Sequence, residues 1–291
     1  MSEPSKVLLL GASGMLGLEV AKNLFKENIP FRALTSSKSG LAKLAPFTQD
    51  IWVADVVHNP NAIAGICKDI DSVISGMGKS ISLFSTDDDT FNEVDNLANA
   101  TVLLDAITNR VSYYIYVSIK EAGDNDEFEI PKNQKSFEDK LNGSGITNCI
   151  FRPVGFYSGL HDLAVMAKKG IIPVIGDGTA KTNSIAQEDF AKVIVKAYLE
   201  RKTGIQIIGG PEIHSRYAMA EMIKARFGGK IVTVPETLAD VGMVLPQFFD
   251  KSTYHKLKFF KFITTHDMLG DIHGNLTFRE YLSFIDESDL P

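Results

Sequence analysis

The stretch Val7-Leu8-Leu9-Leu10-Gly11-Ala12-Ser13-Gly14-Met15-Leu16-Gly17 limits the fold of this chain more than any other. Residues 7–10 form an apolar run of strand length with no polar alternation, as in a strand buried on both faces. Glycines follow at 11, 14 and 17, and Leu16, Val20 and Leu24 then recur every four residues, as on one helix face. Strand, tight glycine turn and helix make the opening of a nucleotide-binding βαβ unit. Gly11 supplies the turn, Gly14 lets backbone N–H groups approach a diphosphate at the helix N-terminus, and Gly17 lets the helix close on the strand. A glycine pattern alone is weak, but its framing by a buried strand and a periodic helix points to a bound dinucleotide.

The rest of the chain repeats the same rhythm. The first helix is expected over about 15–26 and strands over 31–35, 50–54, 71–75, 113–117 and 148–151. Helices are expected over 40–47, over 90–109 with Phe91, Val94, Leu97, Ala98, Val102 and Ala106 on its apolar face, and from Pro131 to about 141. Asp87, Asp88 and Asp89 are read as the N-cap region of the helix that follows them. This predicts an α/β fold with a doubly wound parallel sheet of Rossmann type over residues 1–155.

Beyond 155 the period loosens. A helix is expected over 156–169, a short strand and turn over 172–178, and a helix capped by Gln187-Glu188-Asp189 with Phe190, Val193, Ile194 and Ala197 on its apolar face. A strand over 204–210, a helix over 217–227 and a strand over 230–234 follow, and the last fifty residues are rich in aromatics such as Phe248, Phe249, Phe259 and Phe262. Residues 156–291 are read as a smaller α/β lobe, partly intertwined with the first domain, over the carboxyl ends of the strands, where ligands bind in open α/β sheets.

Composition excludes several classes. The chain of 291 residues is 44% hydrophobic, enough for a full core, and its net charge of −6 is spread without long runs of like sign. Nucleic acid and anionic membrane are therefore not expected partners. Cys67 and Cys149 stand far apart and are read as reduced, buried thiols. No metal site is expected, His266 and His273 being read as solvated loop residues. With no apolar leader or long apolar run, the expectation is a cytoplasmic protein.

The residues after the second strand decide between cofactors. A carboxylate there would hold a ribose 2′-hydroxyl, whereas Thr35-Ser36-Ser37-Lys38, with Arg32 nearby, suits a 2′-phosphate. NADP (NADPH) is therefore expected over NAD, a solvated serine-rich loop being the alternative. Asp55, at the end of the third strand, either accepts from the adenine amino group or caps the helix expected to start near Asn59-Pro60. Gly76, Met77 and Gly78 would let ribose or diphosphate lie against bare backbone.

With these pieces placed, the chain resembles the atypical (extended) short-chain dehydrogenase/reductase family, in its NmrA-like, NAD(P)H-binding branch. The resemblance rests on residues 11–17, Arg32-Ala33-Leu34, Ala54-Asp55-Val56, Tyr116-Val117-Ser118, residues 138–141 with Ser144-Gly145-Ile146, Phe151-Arg152-Pro153 and Gln187-Glu188-Asp189-Phe190-Ala191. It implies adenine near Asp55 and Val56, and nicotinamide between Ser118 and the backbone after Pro153. The expected cofactor contacts are thus Gly11, Ser13, Gly14, Met15, Leu16, Thr35, Ser36, Ser37, Lys38, Asp55, Val56, Gly76, Met77, Gly78, Val117, Pro153, Val154 and Gly155.

One departure stands out. Family members that transfer hydride often carry Tyr-x-x-x-Lys, the tyrosine acting as acid or base. Here the family's spacing puts Ile130 at the tyrosine position and Gln134 at the lysine position, with Lys135 one residue out of register. Ser118 and Lys135 are the remaining candidates for polarising an acceptor, each with an alternative as strand-end cap or surface lysine. The first expectation is an NADPH-dependent oxidoreductase of a small carbonyl or quinone. The alternative is a non-catalytic NAD(P)-sensing regulatory or assembly protein, with a partner on the C-terminal lobe. A monomer or homodimer is expected.

Overall fold

The computed structural model describes residues 6–85, 88–125 and 127–286. Its centre is a sheet of eight strands: β1 (Val7–Leu10), β2 (Phe31–Thr35), β3 (Ile51–Val53), β4 (Ser72–Ser75), β5 (Tyr113–Val117), β6 (Thr147–Pro153), β9 (Gly204–Gly209) and β12 (Asp271–Ile272). They lie in the order β3-β2-β1-β4-β5-β6-β9-β12, every pair parallel. The order reverses between β1 and β4, which opens the crevice where such sheets take ligands. All four residues of β1 are buried, because α1 (Met15–Lys26) and α6 (Gln187–Leu199) cover one face while α3 (Asn99–Thr108) and α4 (Glu129–Gly143) cover the other.

The helix expected over 40–47 is α2 (Lys38–Leu44). The one expected over 90–109 is corrected in its first half. Asn92–Ala98 wind as π-helix, and only Asn99–Thr108 are α-helical. The wider π turns rotate the face, so Leu97 points to solvent at 48% exposure while Asp95, Asn96 and Asn99 turn inward. Nor do Asp88 and Asp89 cap it. Thr90 Oγ1 accepts from Glu93 N–H at 3.2 Å, and the Glu93 carboxylate accepts from Thr90 N–H at 2.7 Å. Asp89 instead bonds His58 at 3.1 Å, and Asp87 lies outside the described residues.

Residues after 155 divide between two places. α6, β9 and β12 complete the sheet and its cover. A second core gathers α5 (His161–Lys168), β7 (Ile171–Ile175), α7 (Arg216–Phe227) and α11 (Phe278–Phe284), with β11 (Lys230–Val234) parallel to β7 and β8 (Lys181–Thr182) antiparallel to β10 (His214–Ser215). The helix expected over 156–169 is a 3-10 turn, Tyr157–Leu160, followed by α5. Helices α8 (Glu236–Gly242), α9 (Val244–Phe249) and α10 (Lys251–Thr265) follow β11. α6 starts at Ala186 with no side-chain cap. Asp189 was expected to help cap it, but its carboxylate reaches across to the Asn275 and Leu276 N–H groups at 2.7 and 2.8 Å.

The lobe closes over the carboxyl end of the sheet. Asp162 of α5 accepts from Ser82 Oγ and Leu83 N–H, both at 2.7 Å, and Lys256 of α10 donates to Ser82 O at 2.9 Å. Phe259 of α10 packs with Phe91, Phe128 and Ile130. No helix among the described residues is long and apolar enough to cross a membrane.

Candidate functional site

The glycine turn closes the β1–β4 crevice at its base. Gly11 has φ +67°, the left-handed region, and a Cβ there would lie 2.8 Å from Gly76 O. The turn after β1 and the loop after β4 are therefore in backbone contact. At Gly17 a Cβ would fall 2.1 Å from Gly11 O, so α1 lies directly on the turn. α1 begins at Gly14 with no side-chain cap and no acidic residue in its first turn. Its first N–H groups have no intrahelical acceptor and carry the positive end of the helix dipole. An exposed Met15 and a half-buried Leu16 flank this opening. A cradle that excludes side chains beside an uncapped helix end fits a diphosphate.

At the end of β2, Ser13 Oγ and Thr35 Oγ1 are hydrogen-bonded at 2.8 Å, joining the glycine turn to the second strand. Ser36, Ser37 and Lys38 follow and are exposed, with Ser37 Oγ accepting from Gly40 N–H at 3.1 Å as the cap of α2. Arg32 does not join them. Its guanidinium is held by Asp50 at 3.1 Å and Ile66 O at 2.6 Å and lies over Trp52, at the other end of the strand. Asp55 caps the turn after β3: Oδ1 accepts from Val57 and His58 N–H at 3.0 and 3.1 Å, and Oδ2 meets His58 Nδ1 at 2.9 Å. Val56 beside it is buried.

Residues 76–78 are held from below by side chains that the sequence did not single out. Asn99 donates to Met77 O at 3.1 Å and accepts from Ser75 Oγ at 2.7 Å, and Asp95 accepts from Lys79 N–H at 2.8 Å. Burial pushes the Asp95 carboxyl up to about 7, against the lowering effect of the Lys79 amide and ammonium. The only trace of this in the sequence was polar residues at 95, 96 and 99 interrupting an apolar stripe.

At the ends of β5 and β6 the candidate chemical groups are engaged. Ser118 is 6% exposed, and its hydroxyl donates to Glu138 at 2.5 Å. Glu138 is itself buried and takes Arg152 in a two-point pair at 3.0 and 2.6 Å. The one Ser118 proton is thus committed to Glu138. Lys135 turns outward to Asp139. Gln134, at the lysine position, is buried and accepts from the Tyr116 hydroxyl. Ile130, at the tyrosine position, is 2% exposed among Phe91, Phe128 and Phe259. Val117 ends β5 and Pro153 ends β6, while Val154 donates to Ile208 O at 3.0 Å, and Gly155 passes close to Ser184. The glycine turn, residues 35–38, residues 76–78 and the ends of β5 and β6 thus share the carboxyl edge of one sheet. A depression of about 430 Å³ lined by Phe25, Phe31, Phe47 and Asp50 lies at the opposite edge.

A sheet that reverses order above a side-chain-free helix end defines a dinucleotide-binding Rossmann protein. A family profile described as NAD(P)H-binding matches residues 11–201, and the chain belongs to that NAD(P)H-binding family. No curated protein matches it. Among solved structures it is similar to a nucleoside-diphosphate-sugar epimerase from Staphylococcus aureus, with TM-score 0.66 and 15% identity over 95% of this chain and 99% of the other. It is also similar to dTDP-glucose 4,6-dehydratase from Streptomyces venezuelae, solved with NAD bound, with TM-score 0.64 and 16% identity over 98% and 94% of the two chains. A UDP-glucose 4-epimerase from Thermus thermophilus, in complex with NAD, gives TM-score 0.64 and 15% identity over 79% and 86%. At these identities the likeness is one of fold.

Proposed function

We propose that this chain is an NADPH-dependent oxidoreductase of the NmrA-like kind, located in the cytoplasm, whose acceptor is a small quinone or enone that needs no proton from a side chain. The observation that carries the reading is the helix opening at Gly14, uncapped, free of acid and pressed onto a turn that tolerates no Cβ. The diphosphate would lie there, adenine beside Asp55 and Val56, and the nicotinamide half over residues 76–78, Val117 and residues 153–155. The preference for NADPH rests on the hydroxyls of Ser36 and Ser37 and the exposed Lys38, where no carboxylate stands.

The bound cofactor would supply the hydride. The chain's own part is to bind, orient and exclude water, because Ser118 donates to Glu138 and an isoleucine replaces the tyrosine acid. A simple carbonyl needs a proton as its alkoxide forms, whereas a quinone disperses the charge, and its hydroquinone anion takes up a proton from solvent on release. This favours the quinone over the aldehyde.

A second reading, a protein that senses NADPH without turnover, is favoured by Ile130, which stands at the tyrosine position and is buried among Phe91, Phe128 and Phe259. A partner would then meet the C-terminal lobe near Phe248 and Phe249, which are 72% and 86% exposed. Calorimetry tests the shared core of both: NADPH binds more tightly than NADH, and Gly14→Asp abolishes binding by setting a carboxylate against the diphosphate. Equal affinities would remove the NADPH preference, and tight binding to Gly14→Asp would remove the proposed seat. Oxidation of NADPH by a quinone panel then separates enzyme from sensor.

A further inference from the structure

The π-helical stretch Asn92–Ala98 has an effect beyond packing, because it drives Asp95 under the loop that follows β4. Asp95 is 1% exposed. Its Oδ1 accepts the Lys79 N–H at 2.8 Å, and a Cβ on Gly78 would lie 3.1 Å from that same oxygen. The Gly78 backbone, exposed on its other side, therefore rests directly on the carboxylate.

Charged and titratable groups reach this carboxylate from several elements among the described residues. From the loop come Lys79, stacked over Phe91 at 5.8 Å, and, more distantly, Asp88 and Asp89. From α4 come Glu138, which acts with Asp95 on Tyr116, and Lys140, which donates to the neighbouring Asn96 at 2.6 Å. β5 contributes Tyr116, bonded to Gln134, and α10 contributes Lys256, which bonds Ser82 O and opposes the charge on Lys79. Burial outweighs the Lys79 amide and ammonium and pushes the acid up to about 7, above the ordinary carboxylate range.

We infer that Asp95 takes up a proton when a dinucleotide settles on Gly76, Met77 and Gly78, so that cofactor affinity falls as pH rises through neutrality. The inference rests on the reading in which those residues form the floor of the dinucleotide site. A seated cofactor removes water from above Gly78 and brings the negative charge of its diphosphate, and both disfavour an ionised carboxylate beneath. Whatever raises the proton affinity of Asp95 on binding must, by linkage, bind more tightly to the protonated form. An ordinary surface aspartate would show this only in acid, whereas Asp95 shows it in the physiological range.

The test is calorimetric titration of the full chain with NADPH from pH 6 to pH 8, in buffers of different ionisation enthalpy, beside Asp95→Asn. The asparagine keeps an acceptor for the Lys79 N–H but holds no titrating proton, and the paired comparison cancels the titration of the cofactor's own phosphate. Wild type should take up a fraction of a proton more than the variant, with affinity falling roughly three- to tenfold further across that range. Infrared difference spectra should show the wild type gaining a protonated-carboxyl band as NADPH is added, a readout that decides the matter even where the variant folds poorly. Equal proton uptake in both proteins, or no such band, overturns the inference and leaves the cofactor reading standing. Absence of NADPH binding at every pH overturns both.

Discussion

Ser118, Glu138 and Arg152 form a closed set in which each member answers another's charge or proton. Removing them one at a time should have unequal effects. Ser118→Ala deletes one hydrogen bond from a carboxylate that keeps its arginine, an expected loss of about 1 kcal/mol in urea unfolding. Glu138→Ala leaves the Arg152 guanidinium half-buried without its partner, an expected loss of about 3 kcal/mol or more. Comparable losses would mean that the Ser118 proton matters as much as the ion pair. Lys135 belongs to a different environment: its ammonium faces Asp139 on the outer side of α4. Lys135→Ala should leave NADPH oxidation by quinones within about twofold of wild type, as expected of a surface pair. A loss of a hundredfold would return Lys135 to the site.

At the scale of elements, the clamp between α6 and the segment before α11 hangs on Asp189. Burial works to raise its pKa, but hydrogen bonds from Lys192, Leu276 and Asn275 outweigh it and hold the carboxyl below its ordinary value of 3.8. A group depressed in the folded state stabilises at pH above its unfolded value, and that stability drains away as pH falls through the folded value. Melting temperature should therefore drop more steeply below about pH 4 in wild type than in Asp189→Asn, whose stability is lower but flatter in that window. Parallel curves would show that the acid loss arises elsewhere. The same segment shows how far pattern reaches: the apolar face of α6 was legible from its period, while the cap was misassigned. Asp189 satisfies amides more than eighty residues away, and no local rule names such a partner.

Over the whole molecule, sheet and lobe are joined at the carboxyl edge by an aromatic contact and a polar one. Phe259 is 2% exposed, with its ring 5.8 Å from that of Phe128, while Lys256 and Asp162 hold residues 82 and 83. Phe259→Ala should cost about 3–5 kcal/mol, the usual range for a buried phenylalanine. Hydrogen exchange should then quicken in α10 and in the start of α4 before it does in β1. Uniform acceleration through the central sheet would mean that lobe and sheet unfold as one unit.

Local chemistry determined a good deal of this protein. A continuous apolar run, three glycines and a four-residue period are enough to specify β1, its turn and α1, because each acts within a few residues of itself. Repetition of that unit, with the missing tyrosine plain at position 130, likewise yielded the parallel sheet and its family resemblance. The tertiary structure alone decided the rest. Arg32 went to Asp50, the Ser118 proton went to Glu138, and the π turns carried Asp95 beneath Gly78. Charges and hydrogen bonds choose partners by distance in space, and those distances come into being only once the sheet, the helices and the lobe have packed together.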